Sequence, residues 1–147
     1  MVEVRNHTAE RVDEAGIVAA VERVLRDGRA EGAEVAVLLV DEAEMTRLNA
    51  EHRGRNTVTD VLAFPIDEDD DLPPGLPRML GDVVVCPAQA ARQAAESAVE
   101  PGHALATLVV HGTLHLLGHD HETDDGAMLR RQDALRADVD DVRWSRA

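Results

Sequence analysis

The feature that most constrains this chain is a histidine-rich run from His111 to His121, which reads HGTLHLLGHDH. His111 and His115 are four residues apart, so on an α-helix with about 3.6 residues per turn they lie on one face, one turn apart. Gly118 follows, and glycine takes the left-handed conformation at a helix end at the lowest cost. The chain can therefore turn back there and bring His121 beside the other two imidazoles.

Three converging imidazoles leave one tetrahedral position of a zinc ion open, which is the arrangement of catalytic rather than structural zinc sites. A histidine pair alone fits a hydrogen-bonded core feature or a solvated surface equally well, but the third histidine after a glycine matches the long zinc motif H-E-x-x-H-x-x-G-x-x-H. We predict one zinc ion per chain, bound by His111, His115 and His121, with His119 as a weaker rival to His121.

One position departs from that zinc motif. Gly112 stands where metalloproteases carry the glutamate that acts as general base. A zinc peptidase is therefore disfavoured, although the metal ligands themselves match.

Hydrophobic periodicity predicts an α+β fold, in which a small four-stranded mixed sheet packs with about five helices. The predicted strands are Val2 to Arg5, Val35 to Val40, Thr57 to Phe64 and Gly81 to Cys86. The predicted helices run from about Thr8 to Gly28, onward from a cap at Asp41, from Pro87 to about Ala98, from Pro101 through the histidine pair, and from Thr123 to about Asp138. The helix that starts at Pro101 is apolar almost all round, so we expect a buried central helix that carries the metal site.

The chain has 147 residues, 44% of them hydrophobic and 30% charged, which predicts one domain over residues 1–147. Asp67 to Arg78 is acidic and then proline-rich, so we expect a mobile loop. The apolar runs are too short to cross a bilayer, and the N-terminal residues lack the pattern of a secretory signal. Cys86, the lone cysteine, reads as a small buried hydrophobe, and we expect a cytoplasmic protein.

The formal net charge of −14 argues against a general RNA coat protein, because affinity for phosphate backbones comes from basic side chains. It leaves room for an enzyme with a local basic patch. Every basic residue counted in that charge is an arginine, and arginine can hold a phosphate group with two parallel hydrogen bonds.

Three segments resemble the YbeY family of bacterial endoribonucleases and ribosomal-RNA maturation factors, and the resemblance extends over nearly the whole chain. They are LNAEHRGRNTVTDVLAFP from Leu48 to Pro65, LGDVVVCP from Leu80 to Pro87, and HGTLHLLGHDHETDDGAML from His111 to Leu129. The resemblance implies a zinc-dependent endoribonuclease that cuts single-stranded RNA, matures the 3′ end of 16S ribosomal RNA and takes part in ribosome quality control. Its implied partners are the small ribosomal subunit and its proteins, with neither DNA nor a membrane.

Carried over residue by residue, the resemblance places the zinc ligands on His111, His115 and His121, and a functionally important arginine on Arg53. We expect Arg53 to neutralise charge on the scissile phosphate and His111 to act through the metal, which makes these two the catalytic residues. Asp60, Asp82 and Asp120 are candidate hydrogen-bonding partners of the zinc histidines.

Two positions depart from the family pattern. His52 replaces the usual tyrosine before the arginine, and His119 replaces an aromatic residue before Asp120. The sequence identifies no general base, and it leaves attack by water and attack by the ribose 2′-hydroxyl both open. A ribosome-assembly or binding factor with weak or partner-dependent nuclease activity remains the main alternative, because the chain is so acidic.

Overall fold

The computed structural model describes residues 1–53, 60–66, 78–118 and 126–145, without the side chains of Arg53 and Ser145. In chain order its elements are β1 (Val2–Asn6), β2 (Arg11–Val12), α1 (Glu14–Asp27), β3 (Glu34–Leu39), α2 (Glu42–Arg53), β4 (Val61–Pro65), β5 (Met79–Val85), α3 (Pro87–Ser97), α4 (Pro101–Leu116), α5 (Ala127–Ala137) and β6 (Trp144–Ser145).

The main sheet has four strands in the order β1-β3-β5-β4. β1 and β5 both run parallel to β3, whereas β4 runs antiparallel to β5. β2 and β6 form a separate two-stranded antiparallel ribbon. The predicted α+β class, with a four-stranded mixed sheet and five helices in the described part of the chain, is confirmed.

Helices cover both faces of the main sheet. Successive side chains of a strand point to opposite sides, so neighbouring residues of one strand show which helix lies on which face. Val83 of β5 packs in one core cluster with Ile17 of α1 and Val109 of α4. Its neighbour Val84 packs in a different cluster with Met45 of α2. The sheet therefore separates α1 and α4 from α2.

α4 lies at the centre of the larger core. Leu105, Val109, Val110 and Leu114 on its different sides are each at most 1% exposed, so the helix is buried almost all round, as its composition predicts. Pro101 is its first residue, where the missing N–H of proline has no cost. The buried central helix that carries the histidine pair is thus observed.

Two predicted helix starts differ from the structure. α1 begins at Glu14 rather than near Thr8, because Arg11 and Val12 pair with Ser145 and Trp144 in the small ribbon and Asp13 is extended. α5 is described from Ala127, and the predicted start at Thr123 lies outside the described residues, as do residues 67–77 of the predicted loop and 57–59 of the third predicted strand.

A local sequence signal explains the start of α2. The Asp41 carboxylate accepts a 2.8 Å hydrogen bond from the backbone N–H of Glu44, which caps α2 as predicted.

Cys86 is fully buried between β5 and α3, in agreement with its interpretation as a small hydrophobe. Among the described helices, none combines the length and the apolar character that crossing a membrane requires.

Candidate metal centre

His111 and His115 lie on the last two turns of α4, and both are half-buried. Their Nε2 atoms are 3.2 Å apart, and their ring centroids are 4.7 Å apart at an interplanar angle of 73°. Helical spacing produces this convergence, because residues four apart stand above one another on the helix surface. The two ring nitrogens therefore point to one place.

The chain leaves α4 immediately after this pair. Leu116 is the last helical residue, and Gly118 has a φ of 97°, a left-handed value that costs other residues free energy. The predicted reversal of the chain at Gly118 therefore has the backbone conformation that it needs. His121, the predicted third ligand, lies outside the described residues, as do His119 and Asp120.

The described donor atoms fit a zinc ion. Two imidazole nitrogens that bind one zinc ion tetrahedrally at about 2.0–2.1 Å stand about 3.3 Å from each other, close to the 3.2 Å between the two Nε2 atoms. Within residues 1–53, 60–66, 78–118 and 126–145, no set of three His, Cys, Asp or Glu side chains is placed to hold a metal. His111 and His115 are thus the two predicted ligands that lie among the described residues.

Gln132 of α5 contacts the outer edge of His111. The His111 Nδ1 atom and the Gln132 Oε1 atom are 2.6 Å apart, and an amide oxygen accepts hydrogen bonds but cannot donate them. A hydrogen bond between these two atoms requires a proton on Nδ1, and Nε2 would then direct a lone pair toward His115. Sequence reasoning missed this residue.

A signal for Gln132 was nevertheless present in the sequence. Met128 and Leu135 are at most 2% exposed and pack with Val110 and Leu114 of α4. Gln132 comes four residues after Met128 and three before Leu135, so it lies on the same inward face of α5. A polar residue on an otherwise apolar helix face indicates a buried polar partner.

Gly112 faces the sheet rather than the histidine pair. A Cβ atom at this position would lie 2.5 Å from Val83 Cγ1 and 3.1 Å from Val61 Cγ2. The helix approaches the sheet so closely that any side chain at position 112 would force Val83 and Val61 to shift. A glutamate general base, which metalloproteases carry at this position, is therefore excluded by packing.

The Gly112→Ala variant is expected to lower the free energy of unfolding by up to about 2 kcal/mol. Overpacking against β5 costs about 1–3 kcal/mol, and the better helix propensity of alanine recovers about 1 kcal/mol. Urea denaturation measures the difference. In a Val83→Ala background the contact is relieved, so the same substitution should cost less; an equal cost in both backgrounds would contradict the packing explanation.

Two of the remaining predicted site residues, Asp60 and Asp82, do not contact the histidine pair. Arg53 is the last residue of α2, and its side chain lies outside the described part. Asp60 accepts a 2.9 Å hydrogen bond from Gln93 of α3 rather than from either histidine. Asp82 is exposed on β5 and alternates with Val83, which faces α4, so its side chain points to the opposite side of the sheet.

His52 precedes Arg53 and replaces the tyrosine of the family pattern. Its ring contacts Phe64 of β4 edge to face, with centroids 4.6 Å apart and an interplanar angle of 60°. His52 is exposed, so the end of α2 is held against β4 while one side of the imidazole stays open to solvent.

Comparison with known proteins gives consistent results. The sequence model of the family described as Endoribonuclease YbeY matches residues 3–139. The chain is 40% identical over 131 residues to Endoribonuclease YbeY of Rhodopseudomonas palustris, covering 88% of this chain and 68% of that protein. It is 38% identical over 152 residues to Endoribonuclease YbeY of Cutibacterium acnes, covering 97% and 96%. The solution structure of TM1509 from Thermotoga maritima superposes with a TM-score of 0.63 at 28% identity, covering 92% and 87%.

Proposed function

The chain belongs to the YbeY family of endoribonucleases, and on this premise we propose that it cuts single-stranded RNA with a zinc ion held by His111, His115 and His121. Members named in this way are enzymes that hydrolyse phosphodiester bonds in RNA, and this chain is one of them. The observation that supports zinc is the 3.2 Å separation of the two histidine Nε2 atoms.

The histidines of α4 supply a rigid half of the proposed site. The inward face of α5 and the sheet fix α4 on two sides, so the imidazoles need little reorganisation to bind a metal. Zinc, when bound, supplies Lewis-acid polarisation of a phosphoryl oxygen and activation of water at neutral pH. With position 112 closed by packing, α4 offers no carboxylate beside His111 to act as general base.

Arg53 is the group that we propose for binding the scissile phosphate. It ends α2, and its guanidinium could donate two parallel hydrogen bonds to phosphate oxygens and neutralise charge that develops there. The chain has a formal net charge of −14, so attraction by the protein as a whole cannot draw in RNA. Local contacts of this kind have to supply the affinity.

We further propose that the RNA is ribosomal, and that the reaction contributes to maturation of the 3′ end of 16S ribosomal RNA and to ribosome quality control. The proposed partners are the small ribosomal subunit and its proteins, in the cytoplasm. The acidity of the chain supports a partner, because basic ribosomal proteins would attract an acidic enzyme that free RNA repels.

The same acidity supports a second candidate, a ribosome-assembly or binding factor with a structural zinc and weak or partner-dependent cleavage. The two candidates differ in where cleavage occurs. An enzyme in its own right cuts free single-stranded RNA, whereas a binding factor needs the subunit. A zinc peptidase is the least supported candidate, and digestion of casein by the zinc-loaded protein would reveal it.

The proposed function is tested by measuring zinc content and RNA cleavage together. We expect about one zinc per chain, cleavage of a single-stranded RNA oligonucleotide, much slower cleavage of the same sequence in a duplex, and loss of cleavage after chelation. Cleavage that appears only when small ribosomal subunits are added would favour the binding factor. The end groups of the product separate the two nucleophiles, since 2′-hydroxyl attack leaves a cyclic phosphate.

A further inference from the structure

The inward face of α5 both packs against α4 and contacts His111. Met128 and Leu135, at most 2% exposed, pack against Val110 and Leu114 of α4 and fix the helix in place. Between them on the same face, Gln132 reaches the Nδ1 atom of His111 at 2.6 Å. The apolar contacts therefore determine where the amide stands relative to the imidazole.

The Gln132 atom that faces His111 sets the direction of this hydrogen bond. A neutral imidazole has one N–H and one lone pair, and the partner of one nitrogen decides which of them the other carries. With the Gln132 carbonyl oxygen as acceptor, the proton is on Nδ1 of His111. The Nε2 atom, 3.2 Å from Nε2 of His115, then has the lone pair that a metal requires.

We propose that Gln132 is a positioning residue, which holds His111 in its Nδ1–H tautomer and sets the ring orientation that presents Nε2 for metal binding. This inference rests on the proposed zinc site. Histidine ligands generally donate their second nitrogen to a carboxylate, a carbonyl or water, and loss of such a partner typically lowers metal affinity 10- to 100-fold. Of the predicted carboxylates that lie among the described residues, Asp60 binds Gln93 and Asp82 lies on the other side of the sheet, whereas Gln132 contacts His111.

The amide also has a consequence for charge. A glutamate at position 132 would accept the same hydrogen bond and would add a negative charge next to the ligand, which makes the imidazole a stronger base. An amide orients the ring and leaves the net charge of the zinc and its ligands unchanged. The variants that separate orientation from mere packing are therefore Gln132→Leu, which keeps the approximate volume without an acceptor, and Gln132→Glu, which keeps the acceptor.

Two measurements test the proposal. Nitrogen NMR of the zinc-free protein reports the tautomer of His111, which should be Nδ1–H in the parent and in Gln132→Glu, and should lose this preference in Gln132→Leu. Competition with a chromophoric chelator should show zinc affinity falling about 10- to 100-fold in Gln132→Leu, with Gln132→Glu binding at least as tightly as the parent. Asp133→Ala, an exposed change on the next residue of α5, serves as the matched control and should leave both unchanged.

The outcomes distinguish failure of the role of Gln132 from failure of the proposed zinc site. An Nε2–H tautomer in the parent would mean that the amide donates rather than accepts, and it would overturn the role of Gln132. Parent-like zinc affinity in Gln132→Leu would overturn it as well. A parent with the Nδ1–H tautomer that binds no zinc would uphold the hydrogen bond to Gln132 and contradict the proposed zinc-dependent function.

Discussion

Replacement of His115 by alanine is expected to remove zinc from the protein, from about one ion per chain to nearly none, and to reduce RNA cleavage to background. The substitution deletes one of the two Nε2 atoms that converge at 3.2 Å, and a site left with two of three ligands holds zinc far less tightly. Because metal activation of water and the phosphoryl group is the main chemistry proposed here, activity should disappear with the metal.

Elemental analysis of the purified variant and cleavage of a single-stranded RNA are the two measurements. His7→Ala is a matched control, because it removes an exposed imidazole whose nearest charged partner is Glu44 at 3.9 Å, and it should change neither quantity. The melting temperature of His115→Ala should match that of the chelated parent, which separates loss of metal from loss of fold. Full zinc content in His115→Ala would show that the histidine pair is not the metal site.

The Arg53→Ala variant is expected to retain zinc and to melt near the temperature of the parent, yet to lose about two to three orders of magnitude in RNA cleavage. This is the range typical for removal of one group that stabilises charge in the transition state. Arg53→Lys should recover only part of the loss, because lysine keeps the charge without the planar fork that binds two phosphate oxygens. Full recovery would indicate simple electrostatic attraction.

Arg47→Ala is the matched control for Arg53. Arg47 is an exposed arginine on the same helix, paired with Glu44 and Glu51, and surface pairs of this kind contribute little to stability. Its removal changes the net charge by the same amount and should leave cleavage near the parental rate. The His115→Ala protein supplies a blank for contaminating ribonuclease. Parental cleavage by Arg53→Ala, with zinc intact, would exclude the proposed role.

The elements that the sequence predicted well are those specified by neighbouring residues. The pattern of α4, the cap at Asp41 and the left-handed Gly118 are local signals, and each is present in the structure. The start of α1 was wrong because Arg11 and Val12 pair with Trp144 and Ser145, which are far away along the chain. Local patterns carry no information about such pairing.

The same distinction applies to the candidate site. The spacing of His111 and His115 is local, and their convergence follows from helix geometry. The partner of His111 is not local, because Gln132 comes from the next helix, and its position depends on how α5 packs. Asp82 was a reasonable candidate by composition, but the alternation of β5 directs it to the other side of the sheet.

The burial of α4 has a consequence for how metal binding relates to folding. In small zinc modules the ligands come together only when the metal binds, so the free energy of binding must also fold the chain. Here Val109, Val110 and Leu114, each at most 1% exposed, hold α4 through apolar contacts that involve no metal. Backbone amides of such a helix open to solvent mainly through global unfolding. The histidine pair is therefore assembled without a metal, and binding of the proposed zinc ion would spend little of its free energy on ordering this half of the site.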